Sequence, residues 1–154
     1  MKRYAMLLTL PVLLGAAVPS PQQAPPLEIH ASHAWFRYLL SSVPAGGYMT
    51  LINSGDTTTR LVKASSPACG ALMLHQSVNH GGAATMEMVK SVTIPAHGSV
   101  GFAEGGYHLM CMEPRMKPGD KVGVTLGFDD GATLMLLVPV YGPAGPPGTS
   151  SGGP

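Results

Sequence analysis

Hydrophobic and polar residues alternate along much of the chain. Lys121 to Phe128 shows it most cleanly: Val122, Val124, Leu126 and Phe128 fall on one side, Gly123, Thr125 and Gly127 on the other. A period of two belongs to a strand with one buried face. Asp129-Asp130-Gly131 then reads as a hairpin turn into a second strand, Thr133 to Val140. Tyr48 to Ile52 is a further run, closed by the turn formers Asn53-Ser54-Gly55-Asp56. Shorter runs lie at 60–64, 71–78, 85–91, 92–95, 99–102 and 107–112. No segment carries a convincing helical period, and 20 Gly with 15 Pro disfavour one. Many short strands with turn signals between them predict an all-β antiparallel sandwich or barrel.

The ends differ from this middle. Lys2 and Arg3 precede an apolar run, Ala5 to Val18, with small residues Gly15, Ala16 and Ala17 at its end. That is the layout of an export signal, cleaved after Ala17. The run is short for a membrane span, so no stable membrane insertion is expected after cleavage. No cysteine follows it, so a lipoprotein anchor is not expected. Residues 18–28 read as a flexible, Pro- and Gln-rich lead-in. Residues 142–154 are mostly Gly, Pro, Ser and Thr, and are expected to be disordered. One folded domain, 29–141, remains. Without Lys2 and Arg3 the basic count is 7 against 8 acids, a formal charge of −1. Nothing basic clusters, so nucleic acid is a poor partner.

The chemistry concentrates in His75, Met86, His108 and Met110, spaced His-x10-Met-x21-His-x-Met. Two imidazoles and two thioethers form a soft, neutral ligand set, and thioether sulfur selects Cu(I) over hard cations. His108 and Met110 are alternate residues of one predicted strand and share a face. His75 is expected at another strand end. The small-residue loop 79–84 is expected to bend Met86 back towards it, giving a partly exposed site at one end of the sandwich.

This motif resembles that of the PCuAC family of periplasmic copper chaperones, with all four positions present. Ala34-Trp35, Gly47-Tyr48-Met49, Asn53 to Asp56, Ile94-Pro95-Ala96 and Gly105 to Met110 are similar as well. The resemblance runs from about Ile29 to Val140. It implies a Greek-key, cupredoxin-like sandwich and a non-enzymatic carrier of Cu(I). It also implies periplasmic copper delivery towards the CuA centre of cytochrome c oxidase, alone or with a thiol-bearing assembly factor.

The other His and Met residues have plainer readings. Met49, Met73 and Met135 read as core filler. Met116 reads as a turn residue. Met88 shares a face with Met86, and Met112 with His108 and Met110, so either can touch the metal. His80 and His97 read as loop and turn residues. His30 and His33 complete no site. Cys69 and Cys111 form an even pair in an exported chain, which suggests a disulfide. The alternative is a redox-active or copper-binding thiol pair, acting as a thiol–disulfide reductase in copper-site assembly. A blue-copper centre needs a Cys thiolate beside two His, and no Cys lies within the motif.

Overall fold

The computed structural model describes residues 28–148. The expected leader, nearly all of the lead-in and the end of the tail lie outside them. Among the described residues every regular element is a strand, and no helix is long and apolar enough to cross a membrane.

Ten strands follow one another: β1 (Ile29–Arg37), β2 (Ala45–Asn53), β3 (Thr59–Ser65), β4 (Ala71–His80), β5 (Ala83–Met88), β6 (Val92–Ile94), β7 (Gly98–Phe102), β8 (Tyr107–Met112), β9 (Lys121–Phe128) and β10 (Thr133–Tyr141). Their order in the sheet is β5-β4-β8-β7-β2-β1-β10-β9-β3-β6, and β8 also pairs with β2. The chain is all-β, a cupredoxin-like sandwich. One layer runs from β5 to β1 and the other from β10 to β6. The layers join through a short parallel pairing, Phe36 with Val140 and Arg37 with Tyr141, so the ladder is not purely antiparallel.

Alternation sets what lies between the layers. Phe36, Leu51, Leu109 and Cys111 from the first layer meet Leu61, Leu126 and Val140 from the second, all nearly or fully buried. The apolar side of β9 is buried, as its alternation predicts, at Val122, Val124, Leu126 and Phe128. The Asn53–Asp56 turn forms as expected, with Gly55 N donating to Asn53 Oδ1 at 3.0 Å.

Three methionines depart from expectation. Met135 is 79% exposed on β10, and Met73 is half-buried and outside the core cluster. Both lie in runs with apolar residues on successive positions, where alternation does not say which side faces inward. Met116 is buried in the core although it follows β8 in a loop. Cys69 and Cys111 are joined by a disulfide with Cα atoms 5.3 Å apart. It ties the β3–β4 connection to the middle of the first layer.

Candidate metal centre

The site begins with a hairpin. β4 and β5 are joined by Gly81 and Gly82 alone, with φ of 62° and 96°. A two-residue loop with positive φ at both positions matches the right-handed twist of the strands, and glycine adopts it without strain. The hairpin fixes register: His75 lies opposite Met88, and Ser77 opposite Met86. So Met86 does not return through a loop. It returns on a neighbouring strand, two pairs further from β4's start than His75's own partner. Nor is His75 at a strand end; it is the fifth residue of the ten in β4.

On its other side β4 pairs with β8, placing His75 opposite His108 and Met73 opposite Met110. Met110 also faces Gly46 of β2. Paired residues project to the same side of a sheet. Leu72, Leu74, Leu109 and Cys111 point into the core. Hence Met73, His75, Ser77, Met86, Met88, His108, Met110 and Met112 share the opposite, outer face. The site lies on a sheet face near the β5 edge, not at the end of the sandwich.

His108 is 5% exposed despite lying on that face. Its Nδ1 is 3.1 Å from the carbonyl oxygen of Gly106. A carbonyl only accepts, so Nδ1 carries the proton and Nε2 presents its lone pair. Nε2 is buried and has no partner among the described residues, and the same holds for His75 Nδ1. An unmet buried nitrogen is costly unless something occupies it. The Gly106 carbonyl is itself fixed, because Ser77 N donates to it at 3.0 Å. The ring centroids of His75 and His108 are 5.8 Å apart and tilted by 59°. Burial holds the His75 imidazole below its ordinary range, and the neighbouring His108 pushes the same way.

Beside this pair lies a concavity of about 460 Å³, lined by residues that include His108, Met110, Met86, Ser77, Gly46 and Tyr48. Arg37 and Glu104 of its far wall carry no sequence motif. Arg37 pairs with Glu104 there and stacks over Trp35 and Tyr48, at 5.6 and 5.8 Å from the ring centroids. Burial raises the Tyr48 phenol above its ordinary range, with Arg37 opposing. Trp35 and Tyr48 stand in segments that carry the family resemblance, and the hint for Arg37 is its place inside the apolar run 34–40 in a chain with 11% charged residues.

Among the described residues no three His, Cys, Asp or Glu side chains cluster as a metal site. A metal on this face would therefore need the thioethers, and the two free imidazole nitrogens fit a soft ion. His80 and His97 are elsewhere, each paired with a carboxylate, Glu87 at 3.2 Å and Asp56 at 2.7 Å.

Residues 29–140 match the family described as "Putative lipoprotein LpqE-like". The chain belongs to the LpqE-like family. A Leifsonia xyli subsp. xyli protein, likewise named as a lipoprotein, is 37% identical over 136 residues, covering 83% of this chain and 81% of that one. Both cysteines of the present LpqE-like chain are held in the core bridge. Among solved structures, the copper-bound PCuAC domain from PmoF2 is similar in fold, with TM-score 0.63 and 24% identity over 75% of this chain and 94% of that one. CuI-DR1885 from Deinococcus radiodurans matches at TM-score 0.55 and 33% identity, over 79% and 81% of the two chains.

Proposed function

We propose that this LpqE-like protein is a non-enzymatic carrier of Cu(I) in the cell envelope. It holds the ion with His75, Met86, His108 and Met110 and releases it by ligand exchange. The observation that carries this reading is His108: its Nδ1–H is engaged by the Gly106 carbonyl, and its buried Nε2 is unpartnered beside a second free imidazole. Orienting a ligand histidine through its other nitrogen is the usual arrangement of a metal site. The soft ligand set favours Cu(I). The 33% identity to a protein solved with Cu(I) supports the same cargo.

Copper is cargo here, so the residues must bind and also let go. His108 and Met110 sit on a central strand paired on both sides, which holds them in place. Met86 is 63% exposed on the sheet-edge strand β5 and is the ligand freest to leave. The periplasm is the compartment that suits the expected leader, the disulfide and the family description together. The acceptor would carry Cys, His or Met ligands; the CuA centre of cytochrome c oxidase, or a thiol-bearing factor that assembles it, fits that chemistry. A reductase acting through Cys69 and Cys111 has less support. Cys69 and Cys111 are 7% and 0% exposed, and exchange needs an accessible sulfur.

The test is a Cu(I) competition titration against a coloured chelator, with a His108→Ala/Met110→Ala variant alongside. One tight equivalent, lost in the variant, is expected. Equal binding by both proteins would defeat the reading.

A further inference from the structure

The register puts a second thioether closer to His75 than the spacing motif does. Met88, His75 and His108 form one row across β5, β4 and β8, each directly opposite the next. Direct cross-strand neighbours have Cβ atoms about 5 Å apart, whereas diagonal ones are about 7–8 Å apart. Met86 is diagonal to His75, because its own partner is Ser77. Met86 lines the concavity with His108 and Met110, whereas His75 and Met88 do not. Met88 is 69% exposed, and β5 is the last strand of the sheet, so one side of it is open.

We propose that His75 and Met88 form a second, outer Cu(I) position at the β5 edge, alternating with the inner position on His75, His108, Met110 and Met86, and that the cargo passes to its acceptor from there. The inference rests on the copper-carrier reading above. His75 is common to both positions, so a single ion moves between them. In the step, a copper–sulfur bond to Met88 forms as the bonds to Met86, Met110 and His108 Nε2 break, while the bond to His75 is kept. No electron is transferred, and the ion remains Cu(I). The outer position offers two protein ligands and an open side, which is where an incoming thiolate, thioether or imidazole can bind. The inner position is walled by the Arg37–Glu104 pair and by Tyr48.

The experiment loads the purified protein with one equivalent of Cu(I) and follows its extraction by bathocuproine disulfonate in a stopped-flow instrument. Met88→Leu keeps the volume of an exposed side chain and removes only the sulfur. Its tight affinity should match wild type, while extraction should slow by about tenfold, the scale on which groups around a metal site act. Extraction at the wild-type rate would overturn the proposal. So would loss of tight binding as severe as in Met110→Leu, because Met88 would then be a resident ligand. Equal slowing in Met112→Leu, a thioether on the same face beyond Met110, would also overturn it. Failure of the carrier reading looks different: His108→Ala/Met110→Ala would then bind Cu(I) as wild type does.

Discussion

His75 and His108 stand directly opposite each other on β4 and β8, with ring centroids 5.8 Å apart. Both lie within strands, so backbone ladders on either side fix their separation. Of the three buried side-chain nitrogens without a partner among the described residues, two, His75 Nδ1 and His108 Nε2, belong to this pair. A ligand pair built on adjacent strands needs little reorganisation when the ion arrives.

Removing one imidazole should therefore cost more than removing the exposed thioether. His108→Ala is expected to weaken Cu(I) binding by at least about 100-fold, the upper end of what even an outer partner of a metal ligand costs. Met110→Leu should follow, because Met110 is held between β2 and β4. Met86→Leu should weaken binding least of the three, since its side chain is 63% exposed. Competition titrations at one pH give the order. An effect of Met86→Leu exceeding that of His108→Ala would contradict it.

The lowered pKa of His75 makes the metal-free protein sensitive to acid. The ordinary value is 6.5, and burial with the neighbouring His108 brings the folded value below it. Between the two values the unfolded chain binds a proton that the native chain refuses. Native stability contributed by this group is therefore intact above the ordinary imidazole range. It falls as pH drops through that range and levels off below the folded value. His75→Gln should flatten this part of a plot of melting temperature against pH. An unchanged slope in that variant would rule out His75 as the cause.

Much of this was legible in the chain, and the misses have local causes. The β9 and β10 strands and the turn between them were readable because one face is wholly apolar. β1 was not read as a strand. His33 takes φ 52° and the β1–β2 register shifts between Ser32 and Trp35, so the bulge breaks the alternation that would have announced it. The four motif residues were readable as a set, and the structure brings them to one face. Their order on that face was not readable. It depends on the two-residue Gly81–Gly82 loop, and one residue more or less would exchange the faces of Met86 and Glu87. Tyr48, Arg37 and Glu104 became neighbours only through the pairing of β1, β2 and β8, which no local pattern encodes.

Gly47 should tolerate no side chain. A Cβ there would lie 2.7 Å from the Phe36 ring and 3.0 Å from Leu109 Cβ. Phe36 and Leu109 are both 1% exposed, so neither has room to move. Gly47→Ala is expected to destabilise the fold by about 1–3 kcal/mol, the range for overpacking a tight core. Chemical denaturation measures this directly. Gly123→Ala is the control, since a Cβ there meets nothing within 4 Å. Equal losses in both variants would mean that strand glycine as such, and not the contact with Phe36, sets the cost.

The Cys69–Cys111 bridge should matter for stability and little for cargo. It spans 42 residues of sequence, for which the chain-entropy account gives about 4 kcal/mol. Cys111 lies opposite Leu72 of β4 and Ala45 of β2, and the backbone pairs of β8 with both strands persist without the sulfurs. A Cys69→Ala/Cys111→Ala variant should thus melt well below wild type yet bind one equivalent of Cu(I) tightly while folded. It should also deliver Cu(I) to a chelator at the wild-type rate, because its inner and outer ligands are untouched. Measuring the melt, the affinity and the delivery rate on one preparation separates a structural bridge from a redox pair. Normal stability with lost delivery would assign the cysteines to the chemistry and revive the reductase reading. Lost stability with intact delivery leaves the histidines and methionines of the outer face as the working residues.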